Sequence, residues 1–243
     1  SFTYPESGIK ALDGVSLKIS KGSTLAIIGR TGSGKSTIAN LICRNFDATE
    51  GSILVDDRPI SSLNLNSLRS AIGYVPQEVF LFSDTIANNI GFGLEKGEDH
   101  RDTVFEAAEN AHVRHNIEDF PKKFETVLGE RGINLSGGQK QRVSIARAIA
   151  GKPKILIFDD CLSAVDTETE EIILTNLKKV MQGKTTLLIS HRVSTVKMAD
   201  EIIVLDHGKI IERGNHEQLI DHEGVYRDLY QKQLLEEKKA LSS

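Results

Sequence analysis

The chain has 243 residues, 39% hydrophobic and 26% charged, with a formal net charge of −4. That balance excludes a disordered chain or a fibre, and no run of Lys or Arg marks a stripe for nucleic acid, so no nucleic-acid partner is expected. No apolar run approaches the roughly 20 residues needed to span a bilayer, and no signal peptide is visible. The chain opens on SFTYPESG without an initiator Met, which reads as a domain cut from a longer protein. Cys43 and Cys161 lie in apolar sequence without paired spacing. They fit reduced thiols in a reducing compartment, with Cys161 a small buried residue.

In chain order, ALDGVSLKIS (11–20) alternates apolar and polar residues and predicts a half-buried strand. TLAIIG (24–29) is a continuous apolar run ending in glycine, the pattern of a strand covered on both faces. A helix follows over 35–44, then strands over SILVDD (52–57) and AIGYVP (71–76). From about residue 80 to 139 the period changes. TIANNIG, RDTVFEAAENAHV and HNIEDF place apolar residues at steps of three and four, so a helical subdomain inserted into the sheet domain is expected. SGGQKQRVSIARAIAGKP (136–153) has a Ser cap at its start and Gly and Pro at its end, marking a helix. The basic residues of KQRVSIAR (140–147) interleave with apolar ones and are expected on a solvated helix face. KILIFDD predicts a buried strand, DTETEEIILTNLKKVM a helix, TTLLIS a strand and RVSTVKMA a short helix. EIIVLD and KIIERG flank His207-Gly208 as a hairpin, and a charged helix begins at Val225. Strands alternating with helices imply a parallel, layered α/β sheet.

GRTGSGKST (29–37) fits the pattern G-x-x-x-x-G-K-[ST], with a buried strand before it and a helix after it. A triphosphate carries several negative charges. Glycines let the backbone curl so that successive N–H groups face its oxygens, and the new helix adds its positive end. Thr31, Gly32, Ser33 and Gly34 form this cradle. Lys35 reaches the β- and γ-phosphates, Ser36 offers a hydroxyl to Mg²⁺, and Thr37 bonds near the α-phosphate. By itself the motif says nucleoside triphosphate.

KILIFDD (154–160) is its partner, an apolar strand ending in acid. Asp159 would hold Mg²⁺ through a coordinated water. Asp160 would face the γ-phosphate, where a carboxylate orients or deprotonates the attacking water. Many phosphate-loop ATPases have Glu there. Asp is shorter by one methylene, and a misplacement of about 1 Å can cost about 100-fold in rate. Two readings stand: a slow or backbone-compensated site, and a specialised, largely non-hydrolytic one.

NLSGGQKQR (134–142) then brings the residues to a family. Ser136 caps a helix whose first N–H groups are exposed by Gly137 and Gly138, giving a second anion site with no lysine. The LSGGQ string at 135–139, and its order relative to the phosphate loop and the acidic strand, resemble the nucleotide-binding domain of ABC transporters over nearly the whole chain. The resemblance implies a single domain over 1–243. Its core lobe, about 1–78 and 147–243, is a P-loop NTPase (RecA-like) α/β fold with an antiparallel β flank. Its inserted α-helical subdomain covers about 79–146.

The resemblance also implies ATP and Mg²⁺ as ligands. Ser136, Gly137, Gly138 and Gln139 would bind the γ-phosphate held by a partner domain, so that two domains sandwich two ATP molecules head to tail. Tyr4 would stack on adenine, and Gln77 would ligate Mg²⁺ and sense the γ-phosphate. The loop SAVD (163–166) would meet the partner domain, and His191 would bond the γ-phosphate and help hold water. VFLFSDTIANNIGFG (79–93) and TVLGERG (126–132) resemble exporter segments, the first meeting a transmembrane domain absent from this chain. The implied place is the cytoplasmic face of the cell membrane.

The paired acid at 159–160 resembles one half of certain bacterial heterodimeric multidrug exporters, yet His191 and LSGGQ are kept. Homodimer and heterodimer therefore both stand. Two rivals remain: a module that dimerises on ATP and barely turns over, and a soluble ABC protein of translation or DNA repair.

Overall fold

The computed structural model describes residues 1–95, 99–129 and 134–240. In chain order, strands β1 (Phe2–Thr3), β2 (Lys10–Leu12) and β3 (Thr24–Ile28) precede helix α1 (Lys35–Ile42). Strands β4 (Leu54–Val55) and β5 (Arg58–Pro59), helix α2 (Leu65–Ser70) and strand β6 (Ile72–Val75) follow. Helices α3 (Ile86–Ile90), α4 (Arg101–Asn110), α5 (Arg114–Glu118) and α6 (Gly137–Ala150) lead to strand β7 (Ile155–Asp159) and helix α7 (Thr167–Met181). The chain then runs through β8 (Thr185–Ile189), α8 (Val193–Val196), β9 (Glu201–Asp206), β10 (Lys209–Gly214), α9 (His216–Asp221) and α10 (Val225–Ala240). Two compact units emerge, Ser1–Leu68 with Thr185–Ser243, and Arg69–Lys184.

In the first unit β3 is the central strand. It pairs in parallel with β8 on one side (Ile27 opposite Ile189) and with β9 on the other (Ile28 opposite Val204). Neighbours on both edges and cover on both faces explain its unbroken apolar run, Leu25 through Ile28, none more than 1% exposed. The β10 strand closes antiparallel on β9. Their turn, His207-Gly208, has both residues at positive φ (43° and 74°), the two-residue hairpin whose twist matches the strands.

The expected strand over 11–20 shrinks to β2. Residues 13–20 keep the alternation of half-buried and exposed side chains, but they join no ladder. Alternation reports a half-covered surface, and only a partner edge makes it a strand. The strand expected over 52–57 is also shorter, because Asp56 and Asp57 take left-handed φ values of 48° and 62° and turn the chain into β5.

In the second unit β6 pairs in parallel with β7, Val75 opposite Phe158. Gly73 lets β6 lie directly on α6, since a side chain there would strike the Ala148 carbonyl. Helices α3 and α4 pack on α6 and bury Ile86, Ile90, Ala108, Val143, Ile145 and Ala146 fully. Each larger member of that set contributes about 1.5–3 kcal/mol of transfer free energy. The solvated face expected for 140–147 is corrected here. Arg142 is buried, and Arg147 turns inward to donate to the Phe80 and Asn89 carbonyl oxygens at 2.8 and 2.7 Å. Backbone carbonyls of the 79–93 segment and of His112 supply acceptors that a periodicity argument has no means of anticipating.

Candidate active site

The first unit sets the phosphate-loop motif at the C-terminal end of β3, where open α/β sheets place their ligands. Gly34 begins α1 at φ 104°, and a Cβ there would sit 2.5 Å from the Ala11 carbonyl oxygen. Only glycine meets both demands. The Lys35 side chain is buried and donates to the Gly29 and Arg30 carbonyl oxygens at 2.9 and 2.8 Å. Its ammonium is thus aimed back along the loop as a fixed point charge. Ser33 Oγ is buried with no hydrogen-bond partner among the described residues. A buried hydroxyl left orphaned inside a glycine-rich loop suits a ligand that brings its own oxygens.

Two segments lock around this loop through main-chain atoms. Gly208 N–H donates to the Ser33 carbonyl at 3.0 Å, and Asp13 N–H donates to the Gly208 carbonyl at 2.9 Å. A Cβ on Gly208 would also press on the Ala11 carbonyl, at 2.7 Å.

Tyr4 lies against Phe2 and Phe46 in edge contacts of 4.9 and 5.6 Å between ring centroids. Its Oη shares a 3.0 Å hydrogen bond with Thr37 Oγ1. The structure therefore ties Tyr4 to the first turn of α1. Sequence reasoning treated the two as separate ligand contacts.

His191 leaves the C-terminal end of β8, the strand beside β3. Ser190 N–H donates to the Ile27 carbonyl at 3.2 Å, and Arg192 N–H donates to Ser190 Oγ at 3.1 Å. The phosphate loop and His191 thus depart from neighbouring ends of two parallel strands.

The second unit repeats that arrangement with β6 and β7. Gln77 is exposed two residues beyond β6, and Asp159 ends β7. Asp159 is 2% exposed, and the Tyr74 hydroxyl donates to its Oδ2 at a long 3.4 Å. Asp160 is buried at φ 46°, a left-handed conformation that Asp and Asn tolerate better than longer side chains. The adjoining Cys161 is a free, fully buried thiol, and burial followed by the charge of Asp160 pushes its pKa up, so it stays protonated and inert. In this unit Gln77 offers an amide oxygen and Asp159 a carboxylate, and in the first unit Ser36 offers a hydroxyl; each is a hard-oxygen donor of the kind Mg²⁺ takes.

The LSGGQ element forms a full capping box at the start of α6. Gln139 N–H donates to Ser136 Oγ at 3.2 Å, and Ser136 N–H donates to Gln139 Oε1 at 2.9 Å. Between them lie the N–H groups of Gly137 and Gly138, with no side chain to cover them. The SAVD loop packs on these glycines; a Cβ on Gly138 would be 3.1 Å from the Ala164 carbonyl. Gln141, which motif reading missed, clips the loop in place. Its Nε2 donates to Ser163 Oγ at 3.3 Å and its Oε1 accepts from Ala164 N–H at 3.1 Å. A second Gln two residues after the signature Gln was the available signal. Asp166 ends the loop by capping α7, accepting from Thr169 N–H at 2.9 Å. Of the exporter-like stretch 126–132, residues Glu130, Arg131 and Gly132 lie outside the described residues.

Comparison with known proteins adds independent evidence. Residues 12–163 match the family model described as ABC transporter. The chain is 47% identical over 242 residues to ABC transporter B family member 6 of Dictyostelium discoideum, covering 97% of this chain and 35% of that protein. It is 46% identical to the ATP-dependent lipid A-core flippase of Idiomarina loihiensis (95% of this chain, 39% of that protein). Against the multidrug resistance-like ATP-binding protein MdlA of Escherichia coli it is 48% identical (97% and 40%). A solved bacterial Atm1-family ABC exporter with ATP bound superposes with a TM-score of 0.90 at 43% identity, over 96% of this chain and 40% of that one. The chain thus spans about 35–40% of the length of these relatives. With a phosphate loop, an acidic strand end and a glycine-exposed signature helix set on a P-loop α/β fold, the chain belongs to the ABC transporter family, as an ATP-binding, ATP-hydrolysing domain.

Proposed function

We propose that two such domains close head to tail on two ATP–Mg²⁺, and that hydrolysis at this interface powers export through an attached transmembrane domain at the cytoplasmic face of the membrane. Thr31, Gly32, Ser33, Gly34, Lys35 and Thr37 hold the phosphates, and Tyr4 supports the adenine. Ser136, Gly137, Gly138 and Gln139 close over the γ-phosphate of the partner's ATP. Ser36, Gln77 and Asp159 would hold Mg²⁺, which when bound neutralises charge on the phosphoryl oxygens. Asp160 accepts a hydrogen bond from the attacking water, and His191 fixes the γ-phosphate beside it.

The supporting observation is that one chain carries two anion-receptive helix starts of unequal kind. One has a buried lysine at the loop. The other has only capped, glycine-exposed N–H groups on a 14-residue helix, and so needs a ligand presented from elsewhere. The helical lobe over about 79–146 carries the contact with the membrane domain. Exposed Phe80 (53%) and Phe92 (64%) support that assignment, with Phe82 stacked on Phe92 at 4.5 Å.

Complementation tests the head-to-tail arrangement. Lys35→Ala and Gly138→Arg chains are each expected to fail to dimerise on ATP in sedimentation. Mixed, they form one intact composite site and recover ATP-dependent dimers. Recovery in neither nucleotide affinity nor dimerisation on mixing would overturn the arrangement.

A further inference from the structure

The loop that carries His191 is held from outside the motif by the last helix. Gln233, on α10, donates from Nε2 to the His191 carbonyl oxygen at 2.7 Å and accepts at Oε1 from Val193 N–H at 2.7 Å. One amide therefore grips the main chain on both sides of Arg192. With the Ser190 and Arg192 bonds described above, every residue from Ser190 to Val193 has its backbone fixed by a named partner.

The grip is itself braced. Tyr226, Tyr230 and Gln233 follow at steps of four and three and share one face of α10. Tyr226 is fully buried, and its Oη bonds His216 Nδ1 at 2.7 Å. The Glu212 carboxylate of β10 accepts from the first backbone N–H groups of the helix, Val225 and Tyr226. The helix end is thereby pinned about two turns before Gln233, which leaves little freedom for the side chain to wander.

We propose that Gln233 is a positioning residue for hydrolysis: it sets the place of His191 and so couples the C-terminal helix to the rate of the chemical step. The inference rests on the role given to His191 above. A charge or hydrogen-bond donor at the γ-phosphate loses most of its effect when displaced by about 1 Å, at a cost of about 100-fold in rate. The amide contacts only backbone in the His191 loop, so its loss should leave ATP affinity alone.

The test compares wild type, Gln233→Met, Gln233→Glu, His191→Ala and the Gln233→Met/His191→Ala double variant of the full chain by single-turnover hydrolysis, ATP titration and thermal melting. Gln233→Met matches the side-chain length and helix preference but removes both bonds. Gln233→Glu keeps the acceptor for Val193 and sets a carboxylate against the His191 carbonyl, so it serves if the Met variant folds poorly. Both are expected to lower the hydrolysis rate about tenfold or more, with KM for ATP within about twofold. In the His191→Ala background Gln233→Met should add nothing. If both Gln233 variants hydrolyse like wild type while His191→Ala is slow, the positioning role is overturned and the role of His191 survives. If losses multiply in the double variant, Gln233 acts elsewhere and the proposal falls. If His191→Ala itself hydrolyses at the wild-type rate, the reading of His191 fails, and the proposal with it.

Discussion

Arg147 donates to both oxygens of Asn89, the carbonyl from Nε and the side chain from Nη2, each at 2.7 Å. Asn89 is fully buried and passes the constraint on. Its Oδ1 accepts from Phe82 N–H at 2.8 Å, and its Nδ2 donates to the Phe82 and Thr85 carbonyls. The guanidinium also lies over the Phe82 ring at 5.4 Å. Burial lowers the Arg147 pKa to about 10, still far above neutrality, so the group stays charged. Arg147→Met should cost about 2–3 kcal/mol in urea unfolding, the scale of hydrogen bonds to a charged group. Arg147→Lys should recover only part of it, because a point charge cannot replace the planar fork.

The Tyr4–Thr37 bond separates two uses of one side chain. Tyr4→Phe keeps the ring against Phe2 and Phe46 and loses only the hydroxyl. Its ATP affinity should stay within about fivefold of wild type, since one neutral hydrogen bond is worth about 1 kcal/mol or less. Tyr4→Ala removes the stacking surface and should weaken ATP about tenfold or more, from about 1–3 kcal/mol per stacked base. Fluorescent-nucleotide titration of both variants reads the difference.

Asp160 combines a short carboxylate with a left-handed backbone. Asp160→Asn should leave ATP binding intact and slow single-turnover hydrolysis at least about 100-fold. Asp160→Glu lengthens the reach toward the water but fits the backbone less well. It should hydrolyse faster than wild type and melt about 3 °C lower, for a strain cost of about 1 kcal/mol. Equal rates and equal melting temperatures would remove the geometric reading of this position.

His112 sits at φ 53°, and its carbonyl accepts from Arg142 Nη1 at 2.6 Å. Burial first, then the charges of His115 and Arg142, lower its imidazole pKa against the smaller opposing pull of Glu109 and Asp166. The folded chain takes this proton at lower pH than the unfolded chain does. The contribution is therefore full above the ordinary value of 6.5 and is lost as pH falls through the lowered folded value. Melting temperature should drop between about pH 7.5 and about pH 5.5, and drop less in His112→Asn, which tolerates the backbone. His216, lowered chiefly by burial, leaves a remainder.

Local pattern carried most of the elements that hold the site. The buried run of β3, the capped start of α6 and the acidic end of β7 each announce themselves within ten residues of sequence. Motif order then brought Lys35, Asp159 and Ser136 into view together. What stayed hidden depends on contacts between distant segments. Residues 13–20 carry a strand's alternation without a partner edge, Arg142 and Arg147 look like solvated bases until backbone acceptors come to meet them, and Gln233 is one polar residue in a charged tail. The capping box at Asn215 and Gln218 was legible, since Asn followed three residues later by Gln is its signature, and it was simply overlooked.

The junction of Ala11, Ser33 and Gly208 is made of peptide groups and holds no side chain to delete. A survey that only truncates side chains would pass over Ala11 and Gly208 altogether and see nothing at Ser33 beyond its hydroxyl. Yet a methyl group on Gly208 would press on the Ala11 carbonyl and shift the loop's footing from a position far along the chain. Around this glycine-rich loop, tolerance maps built from truncated side chains will understate how much of the polypeptide is committed, and steric additions at glycine are the informative probe.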